Sequence, residues 1–274
     1  MKPKTTEALI KWLLAAFLVL AYVFLYMPIV HILFASLSTR PNFPYPPELN
    51  FASYSRLYNN SVYQSAFANS LIIATCTAVL ATVTGFLATV GVLRFGGRRA
   101  LFYAVLFAAP LFVSEILLGI SSMSLYYLAF GIQGNMVTAI IANSVHCFSF
   151  SFLIMAALLY RYDWRMNEAA IVCGASPMRA FWEVMLPLTW SGIMGSLICA
   201  FVLALNGLDI SFYLLGATPT MPSVAWGALR YGVKPELYAL STIINFAVFV
   251  AILGLYLRIR SEARKNRRRA STAA

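Results

Sequence analysis

Long uncharged apolar runs, separated by short basic or aromatic segments, organise this chain. After the basic lead MKPKTTEALIK, nothing from Trp12 to Thr39 is charged, with Pro28 and His31 inside the run. Further runs follow at Phe67–Leu93, about Ala100–Phe130, Asn135–Tyr160, about Gly192–Leu215 and Leu237–Leu257. A helix rises about 1.5 Å per residue and the hydrocarbon core of a bilayer is about 30 Å thick, so each run predicts a membrane-spanning helix. The first is too long for the apolar core of a secretory signal and reads as a retained span. Six spans put both ends of the chain on one side of the membrane.

Charge then decides which side. Hydrophobic residues make up 61% of the 274 and charged residues only 11%, with mean hydropathy +0.78. That balance excludes an ordinary soluble globule, which needs more polar surface. The net charge of +11 comes from 20 basic against 9 acidic residues. The basic residues collect just outside the runs rather than on one face, a pattern of membrane orientation and not of nucleic-acid binding. Sixteen of them lie before span one, between spans two and three, in Arg161–Arg179 and in the tail RIRSEARKNRRR. Only Arg40, Arg56, Arg230 and Lys234 lie in the remaining loops. The split predicts a multi-pass membrane protein with both termini and the segment Arg161–Ser191 in the cytoplasm.

Two loops exceed simple turns. The external Arg40–Ala66 begins with the proline-rich PNFPYPPELN and is expected to lie across the membrane surface. The cytoplasmic Arg161–Ser191 is patterned as two short helices, about Trp164–Cys173 and Met178–Met185, around a Gly174-Ala175-Ser176-Pro177 break. Ser176 is a candidate N-cap with Pro177 in the first helical position, and Pro187 is expected to stop this helix from running into span five. Gly174 relieves a positive or a crowded backbone angle at the bend. Small residues step down span two (Ala74, Ala78, Ala81, Gly85, Ala88) and span five (Gly192, Ser196, Ala200, Ala204), which predicts close helix packing within the chain or with a partner membrane subunit. Cys76, Cys147, Cys173 and Cys199 have no metal-type spacing.

The cytoplasmic elbow carries a specific pattern. It reads EAAIVCGASPMRAFWEVMLPL, placing Glu168, Ala169, Ala170, Gly174, Val184, Leu186 and Pro187 at the spacing EAA, three residues, Gly, nine residues, a hydrophobic residue, one residue, Leu-Pro. This resembles the membrane subunits of binding-protein-dependent ATP-binding-cassette importers, with Val184 where isoleucine is common. The resemblance implies an all-α membrane protein of six transmembrane helices, with the type I importer permease fold and a cytoplasmic coupling-helix elbow. It implies segments 1–65 (first span and external loop), 66–256 (permease core with coupling segment 161–191) and 257–274 (basic cytoplasmic tail). It also implies that Glu168, Ala169, Ala170, Gly174, Met178, Leu186 and Pro187 couple the chain to an ATPase, with Phe181 and Trp182 as further apolar contacts. The chain itself would be no enzyme and hold no cofactor or metal. ATP and Mg would be bound by two partner ATPase subunits. The other implied partners are a second homologous permease, an extracytoplasmic solute-binding protein and the bilayer, with no nucleic acid.

Glu48–Leu71 and Leu203–Ile243 resemble, more narrowly, the spermidine/putrescine importer permeases. Those carry an acidic pair ahead of a Val/Ile-Ser stretch, where this chain has Asn206 and Gly207, with Asp209 two residues on. Glu115 and Asp209 are the acidic residues inside spans. A carboxylate at mid-bilayer costs roughly 2.5–3.5 kcal/mol on insertion scales, so each should face a partner, a cavity or an interface. Glu115, Asn206, Asp209 and Ser211, with Tyr213 and Trp226 as aromatic walls, are the candidate substrate path. Structural pairing for Glu115 and a gate or interhelix bond for Asp209 stay open. His31 and His146 read as isolated packing histidines. The expected solute is a polyamine or related organic amine; an aminophosphonate, opine, iron(III) or small anion are alternatives. A secondary transporter or membrane scaffold are the alternatives in other classes, the former usually marked by broken helices at midplane, which the sequence does not display.

Overall fold

A computed structural model describes residues 3–38, 50–95, 97–232, 234–246, 248–250 and 253–254. Every regular element among them is helical. The chain divides into two compact units, residues 62–227 and the flanking residues 1–61 with 228–274.

In the flanking unit, α1 (Pro3–Ser36) is apolar on every side, and an 18-residue window within Ile10–Ser36 has a mean hydropathy of 2.5 with none of it buried in protein. Such a helix has no apolar stripe to turn inward, and lipid is the solvent that suits it. Its end is held: Ser36 Oγ donates to the Leu33 carbonyl at 2.6 Å and meets the Tyr54 hydroxyl at 2.8 Å. That tyrosine lies on α2 (Ala52–Tyr58), whose first amide, Ala52 N, donates to Asn50 Oδ1 at 2.8 Å. Arg56 of α2 pairs with Glu236 at 3.1 Å, at the start of α12 (Pro235–Val250). The proline-rich segment 41–49, the end of the sixth predicted span and the basic tail lie outside the described residues.

The larger unit is built on α3 (Ser61–Phe95), α6 (Met136–Leu159) and α9 (Leu186–Asn206). Asn135 starts α6 as a capping box, accepting from Val137 N and Thr138 N at 2.9 and 3.0 Å while Thr138 Oγ1 accepts from Asn135 N at 2.8 Å. The small-residue steps do what their spacing predicts. Ala74, Ala78 and Ala81 of α3 are buried with Cys147 of α6 and Ala200 and Ala204 of α9. Helices α6 and α9 run antiparallel, with Cys147 at the Ala200 carbonyl and Leu158 against Gly192. Close backbone approach lets Thr89 Oγ1 of α3 donate to the Phe152 carbonyl of α6 at 3.2 Å.

Two predicted spans are not continuous. The third is split: α4 (Ala100–Ala108) runs on through a 3-10 turn at Ala109–Phe112, and α5 (Glu115–Phe130) follows after a 98° bend at Val113 and Ser114. Pro110 lies in that turn, where it has no amide hydrogen to give a helix, and Val113 is extended. The fifth breaks at Gly207 and Leu208 and resumes as α10 (Asp209–Leu215), followed by α11 (Met221–Tyr231). Four helices are long and apolar enough to cross a membrane, or five if the bent pair counts as one. This is an all-α, multi-spanning membrane protein.

Candidate functional site: the elbow and the level of the broken helices

The elbow is held by the ends of three long helices. Between α6 and α9 come α7 (Arg165–Val172) and α8 (Pro177–Ala180). Phe86 of α3, Met155 and Leu159 of α6 and Met185 form a buried cluster, against which Tyr162, Trp164, Phe181 and Leu186 pack. Tyr162 donates to Asn167 Oδ1 at 2.7 Å, and Asn167 is buried. Burial first, and the Asp163 carboxylate second, hold the Tyr162 phenol above its usual value. Arg94 lies over the Trp164 ring, 5.8 Å from its centre.

Gly174 ends α7 in a Schellman motif. Its φ is +93°, its amide donates to the Ile171 carbonyl at 2.9 Å, and the Ala175 amide reaches back to Ala170 at 3.0 Å. Nothing lies within 4 Å of where a Cβ would sit, so the angle and not crowding requires glycine. Ser176 then caps α8, accepting from Arg179 N at 3.2 Å.

Pro187 departs from expectation. The chain stays helical from Pro177 through Asn206, because a wide π turn at Phe181–Met185 comes just before the proline. In that turn the Leu186 amide donates to Phe181, five residues back. The wider turn relaxes the contact between the proline ring and the carbonyl four residues earlier, which would otherwise break the helix. Glu168, Ala169, Met178 and Trp182 are exposed, Ala170 and Leu186 half-buried, and Phe181 turns inward against Phe86.

The second assembly lies where the two broken helices meet α6. Glu115 is the first residue of α5 and Asp209 the first of α10, positions where a carboxylate complements the helix dipole. Helix α10 packs on α5 so closely that a Cβ on Gly119 would lie 3.1 Å from Ile210 Cα and 3.2 Å from the Asp209 carbonyl. His146 is not an isolated packing residue: its Nε2 lies 3.3 Å from Glu115 Oε1. Sequence reading missed this pair because the break brings α5 to α6, and no spacing within α6 announces it. Ser211 is buried and accepts from Asn143 Nδ2 at 3.2 Å, which makes it an interhelix tie. Asn143 Oδ1 faces Gly207, leaving 2.9 Å to an added Cβ. Asn206 is exposed, its amide turned back to the Val202 carbonyl at 2.9 Å. Tyr213 covers Gly119, and Trp226 is exposed on α11. No group of three or more potential metal ligands occurs among the described residues.

Broken helices are therefore present, although the sequence did not display them, and class must be decided by other likenesses. Residues 81–263 match the family described as "Binding-protein-dependent transport system inner membrane component". The chain is 30% identical over 258 residues to the putrescine transport system permease protein PotI of Escherichia coli (strain K12), covering 91% of this chain and 92% of that one. It is 26% identical over 251 residues to the spermidine/putrescine transport system permease protein PotC of the same strain, covering 91% and 95%. Its fold is similar to a chain in the crystal structure of a bacterial ABC transporter involved in the import of the acidic polysaccharide alginate. There the TM-score is 0.71 at 16% identity, covering 92% of this chain and 96% of that one. With the family match spanning well over half of its length, this chain belongs to the inner-membrane components of binding-protein-dependent transport systems, and is a permease subunit of an ABC importer for a polar solute.

Proposed function

We propose that the solute is a small organic amine of the polyamine class. The observation that carries this is the pair of carboxylates, Glu115 and Asp209, at the starts of adjoining half-helices. Likeness to a putrescine permease over nearly the whole chain supports it. Moving an ammonium group out of water is costly, and fixed carboxylates placed at helix starts, where negative charge is complemented, compensate it.

In this reading the chain has six spans and cytoplasmic termini, and shares its pore with a second homologous permease. An extracytoplasmic receptor delivers the solute. Two ATPase subunits, which bind ATP and Mg, close on the elbows of both permeases and drive the spans between inward-open and outward-open states. Coupling requires that the elbow make different contacts in the two ATPase states. The exposed Met178 and Trp182 offer apolar contact on a surface where solvent would not favour them, and Ala169 and Ala170 keep the approach low. The chain supplies no chemistry of its own.

One observation favours a second reading, a small anion or zwitterion: Asn206 and Gly207 stand where the polyamine permeases carry two acids. Uptake into proteoliposomes by the assembled importer separates the two. Glu115→Gln or Asp209→Asn should lower putrescine uptake by about tenfold, equivalent to ~1.4 kcal/mol of lost compensation, with unchanged size-exclusion profiles. Faster uptake of an anionic solute in the same variants would favour the second reading.

A further inference from the structure

His146 sits on Glu115 in a way that sets the charge this level presents. Its Nε2 lies 3.3 Å from Glu115 Oε1, its ring edge meets Phe150 at 5.4 Å, and its side chain is 12% exposed against 37% for Glu115. The other ring nitrogen, Nδ1, is buried and has no hydrogen-bond partner among the described residues. With its proton on Nε2, a neutral imidazole would set an N–H beside the carboxylate while Nδ1 carries none. A second proton, on Nδ1, would be a buried donor without an acceptor.

Helices α4, α5, α6, α9 and α10 contain no Lys or Arg, and α3, which also packs on α6, carries Tyr63, Cys76 and Arg94, the last lying over the Trp164 ring at the elbow. The titratable groups on the other five helices are Cys147 on α6, Cys199 on α9, Asp209 and Tyr213 on α10, Tyr126 and Tyr127 on α5 and Tyr103 on α4; of these Asp209 is the other carboxylate. With His146 neutral, the Glu115 charge is oriented but not cancelled.

We propose that His146 is a positioning residue for a protonated-amine site at Glu115: as a neutral donor it fixes the carboxylate and leaves its charge for the solute, and as an imidazolium it cancels that charge and closes the site. Amine and proton then compete. An ammonium arriving at an imidazolium-filled site releases one proton from the ring to water, so the charge beside Glu115 is unchanged by the exchange. This inference rests on the cationic-solute reading above and adds a residue and a pH dependence to it.

The test uses the whole importer in proteoliposomes with putrescine as the probe. The wild-type KM should rise by about tenfold on acidification, while the maximal rate changes little. In His146→Gln, which keeps a donor but cannot become charged, the dependence of KM on pH should vanish while the complex still imports. His146→Arg, which fills the site permanently, should hold KM high at every pH. Because the arginine could disturb packing, a second reading uses the ring itself. The chain has two histidines, so in a His31→Asn background the nitrogen NMR signals of His146 stand alone. Adding putrescine should shift the imidazolium population toward the neutral ring, and Glu115→Gln should abolish that response. If His146→Gln retains the wild-type pH dependence of KM, or the ring signals ignore putrescine while uptake proceeds, the inference is overturned and the amine reading stands. If the wild-type importer moves no amine at any pH, the amine reading fails and takes the inference with it.

Discussion

In the Schellman cap that ends α7, Gly174 has φ +93° with open space around the position of a Cβ. Replacing it by Ala adds one methyl group that touches nothing, so any effect comes from the backbone. Holding an L-residue in such a conformation costs about 1–3 kcal/mol, and the lower part of that range, about 1–2 kcal/mol, is a factor of about 5–30 in the population of the cap. The cap bonds at stake are Gly174 N to Ile171 O at 2.9 Å and Ala175 N to Ala170 O at 3.0 Å. Amide exchange at Ala175, measured on the chain alone in nanodiscs, should quicken by about that factor in Gly174→Ala. Gly174→Asn should fall between glycine and alanine, because Asn tolerates positive φ better than other side chains. Gly174→Val should be no milder than Ala. In the assembled importer the same series should lose receptor-stimulated ATP turnover in the same order, with the spans still inserted. The reasoning is refuted if Gly174→Ala exchanges and turns over like the wild type while Gly174→Val alone fails. That outcome would mean bulk at a docked surface, not the angle, is what glycine avoids there.

Two further substitutions probe the packing around the elbow and the spans. At Gly85 a Cβ would meet Ser151 Cβ at 2.8 Å and Phe152 N at 2.9 Å, so Gly85→Leu should force α3 and α6 apart at a cost of about 1–3 kcal/mol or more; a purified yield and thermal midpoint equal to the wild type would contradict this. Tyr162→Phe leaves the buried Asn167 oxygen without its 2.7 Å donor, which should cost about 1–3 kcal/mol, read as faster exchange in α7. Because the folded phenol is held above its usual value of about 10 by burial and then by Asp163, its contribution is complete below that value and lost as pH rises through the folded one. Corrected for the base-catalysed rate of an unprotected amide, the protection of α7 should therefore fall in alkali in the wild type and stay flat in Tyr162→Phe.

Much of the architecture was legible along the chain because a bilayer imposes a length and an apolarity on any helix that crosses it. The apolar runs that became α1, α3 and α6, the Asn135 start of α6 and the small-residue steps on α3 and α9 are all local properties, and each recurs in the structure with the role its spacing implies. The elbow was legible for the same reason. Helix, glycine stop, Ser-Pro restart and their separations are set by backbone geometry within a few residues, so Gly174 at positive φ and Ser176 as a cap follow from the residues themselves.

What the sequence alone could not decide were the places where one helix alters another. Pro187 looked like a stop, but a π turn before it lets the helix continue, and that choice depends on Met185 and Phe181 packing against α3 and α6. The 98° bend after Pro110 and the break at Gly207 interrupt runs that are apolar throughout, since hydropathy records transfer from water and is blind to direction. His146 reads as a lone histidine in α6, and Ser211 as an open acceptor in span five. Only when the bend carries Glu115 to α6, and the break turns α10 against Asn143, do they become a charge-setting contact and a buried tie. Periodicity along one helix determines which face is apolar; which polar groups meet across helices is a property of crossings, and crossings exist only in the folded chain.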